Sequence, residues 1–206
     1  MLVTIATMLV GAAFFAGAVY LGIALGNAFA ERVPALPDGP APHKVPNAIL
    51  LAAGAVIGAI VSTHAAMPSQ SLLIAIVCVA LAAIWVTDSR RGIVPDVFTL
   101  GPALIVAATM VWDGQTIPLL FSLVPAACFA LAAMLSKGRG MGWGDVKLVA
   151  LGGVVLGFQF SMLAFIVACL AAVAVNYSRG KRRGIIAFAP YLAASIALAL
   201  PIGMWR

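Results

Sequence analysis

Two aspartates, Asp88 and Asp145, stand where long apolar runs stop or start. Asp88 closes the run Ala83-Ile84-Trp85-Val86-Thr87-Asp88, and Asp145 opens Asp145-Val146-Lys147-Leu148-Val149. An ionisable group at the edge of hydrocarbon is costly and is a functional candidate by default. Taken singly, each is accounted for by an interfacial pairing with Arg90, Arg91 or Lys147. Taken together, on different helices at one depth, they can share a proton, because close like charges do not both ionise cheaply. One carboxylate then serves as general base on a water and the other as general acid toward the carbonyl oxygen or the leaving amine. That is the minimum apparatus for hydrolysing a peptide bond without a metal or a nucleophile. A helix dipole favours negative charge at its start and disfavours it at its end. The expectation is therefore an ionised Asp145 and a protonated Asp88.

The remaining polar residues offer no competing apparatus. The chain has six acidic residues; Glu31 and Asp38 lie in a Pro-rich gap, Asp113 in the turn Trp112-Asp113-Gly114, and Asp96 follows Pro95. The first three read as solvated loop residues. Of the two histidines, His43 falls in the same Pro-rich gap and His64 near the outer end of a helix. No HExxH and no GxSxG occurs. Cys78, Cys128 and Cys169 each lie inside an apolar run with no CxxC spacing, so they read as buried small apolar side chains, with no metal site and no disulfide framework.

The elements that position the two aspartates must be membrane helices. Hydrophobic residues make up 64% of the chain and charged residues 9%, far below the roughly 25% of a soluble domain. Lipid is then the solvent, and unbroken apolar runs exclude the alternation of a barrel, leaving an all-α polytopic helix bundle. The runs are approximately 2–29, 47–66, 71–87, 97–112, 117–135, 145–157, 160–176 and 185–204, with the least secure boundary at Gly157-Phe158-Gln159. The basic residues decide the count. Arg32 and Lys44, Arg90 and Arg91, Lys137 and Arg139, and Arg179 to Arg183 fall in alternate gaps, while the intervening gaps carry no Lys or Arg. Keeping every basic gap on the cytoplasmic side selects about eight transmembrane helices with both termini on the opposite side. Asp88 and Asp145 then share the cytoplasmic face. The same placement explains the net charge of +6 without a nucleic-acid partner; the partner is the bilayer. The first run has no basic residue before Arg32 and exceeds a signal-peptide apolar segment, so it reads as a retained first helix. The gap 31–46, with five prolines and a glycine, reads as an extended linker within one domain covering 1–206.

The flanks narrow the chemistry. Gly140, Gly142 and Gly144 leave little side-chain bulk before Asp145, so another backbone can approach it closely. Gly142-Trp143-Gly144-Asp145 is similar to the GxGD motif of intramembrane aspartyl proteases, and its continuation Val146-Lys147-Leu148 resembles that of the type IV prepilin peptidases. Upstream, Asp88 is followed by Val94-Pro95-Asp96 at the spacing of that family's Ile-Pro-Asn-like triplet. Phe188-Ala189-Pro190-Tyr191 resembles its FGPF-like segment, and Leu25 to Pro34 its GSFLNVVIYRLP-like start. The resemblance implies Asp88 and Asp145 as the catalytic pair, with Gly142, Gly144, Lys147 and Pro95 as supporting motif residues. Two departures stand out: Asp96 in place of an Asn, and Ala189 in place of a Gly.

The resemblance also implies the substrate and the place: type IV prepilins or pseudopilins, relieved of a basic leader at the cytoplasmic face of the bacterial inner membrane. Bifunctional members carry a zinc-binding CxxC insert between helices one and two, linked to N-methylation. Here the linker 31–46 stands in its place and holds no cysteine, which predicts a peptidase-only member with no zinc and no other cofactor. Lys147, just inside a helix start, either holds Asp145 or extends to the interface; its long stem favours the interface. Arg90, Arg91, Lys137 and Arg139 read as determinants of topology. The rival functions are a proton-coupled carrier and a non-catalytic component of a pilus or secretion machine. Carriers place their acids near the midplane, whereas these two lie at one face.

Overall fold

The computed structural model describes residues 2–34, 47–64, 68–135, 142–178 and 188–203. Among them every regular element is helical: α1 (Leu2–Arg32), α2 (Asn47–His64), α3 (Pro68–Arg91), α4 (Asp96–Trp112), α5 (Thr116–Ser122), α6 (Val124–Leu135), α7 (Trp143–Ser178) and α8 (Ala189–Gly203). Five spans are long and apolar enough to cross a membrane: α1, α2, α3, α5 with α6 taken together, and α7. Helices α4 and α8 are apolar but shorter. Large apolar side chains such as Leu9, Val10, Leu104, Leu131 and Leu170 cover the outside, as a lipid solvent requires. Buried hydroxyls satisfy themselves within their own helices: Thr87 Oγ1 donates to the Ala83 and Ile84 carbonyls, and Ser122 Oγ to that of Leu119.

The helix limits depart from the apolar runs for local reasons. Helix α1 continues past 29 and takes Glu31 and Arg32 into its last turn, so the expected linker starts later; its residues 35–46, with Asp38, His43 and Lys44, lie outside the described residues. So do 136–141, with Lys137 and Arg139, and 179–187, with the Arg179–Arg183 cluster. The run 117–135 breaks at Leu123. Pro125 explains the break: it offers no N–H to the Phe121 carbonyl, and its ring crowds the preceding turn.

Within α7 the chain turns at Gly157, whose φ of 73° suits glycine alone among the common residues. As continuous helix, the thirteen residues from Gly152 to Phe165 would span about 20 Å. Instead, the Phe165 ring edge lies 3.2 Å from where a Cβ on Gly152 would stand. Helix α7 is therefore a hairpin of two arms, 143–156 and 158–178, divided at the expected boundary.

Helix α3 is the most enclosed span. It packs on α1, α4 and α8, while α7 packs on α4, α5, α6 and α8. Helices α3 and α7 themselves have no Cα atoms within 8 Å of each other; α4 and α8 touch both and hold them apart. Cys78 on α3 is buried as expected, but Cys128 and Cys169 are exposed. A thiol is apolar enough to face lipid, so an apolar run alone does not tell an inward cysteine from an outward one.

Helices α1 and α2 approach through small residues: a Cβ on Gly58 would overlap the Gly11 carbonyl oxygen, whereas nothing lies within 4 Å of a Cβ on Gly17. Gly58→Val should lower stability by about 1–3 kcal/mol through overpacking. Thermal unfolding in detergent checks this, with Gly17→Val, on the same face-to-lipid reasoning, left near the parent midpoint.

Candidate active site

Asp88 lies in the last turn of α3, which ends where Gly92, at φ 68°, donates its N–H to the Asp88 carbonyl at 2.9 Å. This left-handed cap turns the chain sharply toward α4. The Asp88 side chain is only 7% exposed, and its Oδ2 is buried with no hydrogen-bond partner among the described residues. A buried carboxyl oxygen without a donor is rare and calls for an explanation.

Asp145 lies in the first turn of α7. Its backbone N–H donates to the Gly142 carbonyl at 3.1 Å, closing the turn from which the helix starts. The Asp145 charge acts electrostatically on Asp88, although the two helices do not pack directly. The two aspartates thus stand on separate helices that α4 and α8 bridge.

The expected motif residues lie beside the two aspartates in the chain and shape the turns around them. A Cβ on Gly144 would stand 2.9 Å from the Cβ of Val94, so the glycine does permit a close approach; what approaches is the Val94 side chain, not a bare backbone. Gly142 is exposed and acts through its backbone groups. Pro95 precedes α4 with φ −71° and ψ 138°, and its carbonyl accepts the Phe98 N–H at 3.2 Å. Phe188 plays the corresponding part for α8, its carbonyl accepting the N–H groups of Tyr191 and Leu192.

Lys147 corrects one expectation. It neither holds Asp145 nor extends freely to the interface: its Nζ pairs with Asp96 Oδ1 at 2.5 Å. The i, i+2 spacing explains why, since Asp145 and Lys147 point to different sides of one helix. Arg91 also does more than set topology, because its Nε donates to the Ala30 carbonyl at 2.7 Å and so ties the end of α3 to the end of α1. Phe29 of α1 and Phe98 of α4 meet edge to face at 5.9 Å. Together these contacts gather the ends of α1 and α3 and the starts of α4 and α7 at one end of the bundle. Sequence spacing carried no sign of either polar contact, since their partners are 51 and 61 residues apart.

A family model described as the type IV leader peptidase family matches residues 74–176, half of the chain. The match contains both aspartates and both helix starts that surround them. No curated protein and no solved structure gives a significant match.

Proposed function

Because this chain belongs to the type IV leader peptidase family, we propose that it is a membrane-embedded aspartyl endopeptidase that removes the basic leader from type IV prepilins or pseudopilins. Asp88 and Asp145 are its catalytic residues. The observation that carries this reading is a buried Asp88 oxygen with no hydrogen-bond partner among the described residues, within electrostatic reach of Asp145 on a helix that α4 and α8 bridge to its own.

The proposed roles follow from the surroundings of each carboxyl. Asp145 sits at a helix start, where the dipole favours a negative charge, which suits the base. Asp88, near a helix end and without a donor, suits the acid. Water attacks the scissile carbonyl carbon and gives its proton to Asp145, while Asp88 gives its proton to the carbonyl oxygen. The resulting gem-diol collapses as Asp145 passes its proton to the departing amine nitrogen and a hydroxyl proton returns to Asp88. Both carboxyls end in their starting states.

The reading extends to the membrane. Counting α5 with α6 once and α7 twice gives eight crossings, which supports both termini lying on one side. The basic residues Arg32, Arg90 and Arg91 stand at the same end as the two aspartates, which supports a cytoplasmic active site in the inner membrane. With no cysteine between α1 and α2, the chain lacks thiolates for a zinc-binding insert, which supports peptidase activity without methyl transfer. Co-production with a prepilin carrying a basic leader tests the reading: the pilin should shorten by the mass of its leader. A pilin that keeps full length would favour a carrier or an assembly component.

A further inference from the structure

We infer that the Asp96–Lys147 ion pair is a positioning strut that sets the separation of the two catalytic carboxyls. The inference rests on the proteolytic reading above and assigns a role to two residues that do not themselves touch the reacting atoms.

The need for a strut follows from the packing. Helices α3 and α7 carry one aspartate each and make no direct backbone approach. The distance between Asp88 and Asp145 is therefore inherited from whatever joins both helices at that end. Helix α4 does so. It begins four residues after α3 ends, a connection made stiff by the Gly92 cap and by Pro95, whose φ is fixed. Asp96 is the first residue of α4, and Lys147 lies two residues beyond Asp145. The route from one carboxyl to the other thus runs from Asp88 through residues 92–95 to Asp96, across the ion pair to Lys147, and back to Asp145. Every step is covalent except the Lys147–Asp96 contact and the Val94–Gly144 packing beside it. The packing of α4 and α8 on α7 holds the helices together; the ion pair adds, among the described residues, the one polar restraint between the first turn of α7 and the start of α4.

Charge and exposure fit the role. Asp96 also favours the start of its own helix through the dipole. The pair is partly open, with side chains 32% and 59% exposed, and such pairs contribute little to global stability. Its loss should accordingly alter geometry at the site more than it alters folding.

The test uses full-length protein in lipid and one purified prepilin, with kcat, KM and the unfolding midpoint measured for each variant. Asp96→Ala and Lys147→Met should each lower kcat about fivefold to twentyfold, with KM and midpoint close to the parent. The reversed pair, Asp96→Lys with Lys147→Asp, should recover most of kcat, which loss of a merely structural contact in either single variant does not predict. Asp88→Asn runs alongside. If Asp88→Asn still cleaves, the assignment of Asp88 to the catalytic pair fails, and the strut with it. If Asp88→Asn is inert while Asp96→Ala and Lys147→Met keep parental kcat, or the reversed pair is no better than the singles, the strut alone is overturned.

Discussion

Asp88→Asn and Asp145→Asn should each reduce leader removal by about 10⁴-fold or more, and the double variant should be no worse than either single one. Both expectations follow from the two carboxyls working as a unit. General acid and general base each contribute roughly 10²–10⁴-fold, but neither acts without the other, so the losses do not add. Asparagine keeps the shape of aspartate but puts an amide NH2, which neither ionises nor gives up a proton, in place of one carboxyl oxygen. At position 88 it also leaves folding little disturbed, because the buried Oδ2 has no donor to lose. Unchanged unfolding midpoints would therefore locate the defect in chemistry. Were the aspartates only interfacial, each change would leave processing intact, since exposed pairings are worth roughly 1 kcal/mol or less.

The second large effect belongs to a residue with no side chain. Gly144→Ala should lower kcat about 100-fold. The added Cβ would stand 2.9 Å from the Val94 Cβ, well inside the optimal carbon–carbon separation of about 3.5–4.0 Å. Neither atom is the free end of a flexible chain, so a backbone must give way. What moves is either the 92–95 loop next to Asp88 or the first turn that carries Asp145. A misplacement of about 1 Å at a catalytic group costs on the order of 10²-fold. Adding Val94→Gly removes the opposing Cβ and should restore much of the rate. Gly101→Ala, where nothing lies within 4 Å, is the matched control on α4. Steady-state cleavage of one prepilin by the four proteins checks the set, and a double variant as slow as Gly144→Ala alone would refute the steric account.

These two effects were not equally readable from the residues. Asp88 and Asp145 declared themselves because an acid at the end of an apolar run is conspicuous, and because basic gaps on alternate turns assigned both to one face. The glycines before Asp145 announced a close approach but not its partner; Val94 becomes visible only when α3, α4 and α7 are assembled. The hairpin at Gly157 was legible as an interruption of the apolar pattern, while the break at Leu123 was not, since Pro125 sits inside an otherwise continuous run. The Lys147–Asp96 and Arg91–Ala30 contacts depend on how helices distant in sequence are packed, and no periodicity encodes that. The same limit applies to Cys128 and Cys169: in lipid, the apolar code for inside and outside is one and the same, so burial within the bundle leaves little trace in composition. For that reason the site was clearer than the bundle around it, because polar groups are the exception in this chain and apolar ones are the rule.

The central claim is that Asp88 and Asp145 jointly drive water onto a peptide bond. Its most direct test is cleavage of a purified prepilin by the protein reconstituted in lipid, in water enriched in oxygen-18, with both products weighed by mass spectrometry. The account predicts a released leader carrying one heavy oxygen in its new terminal carboxyl, a shortened pilin carrying none, and neither product from Asp88→Asn or Asp145→Asn. Labelled leader appearing at the parental rate from either variant would contradict it.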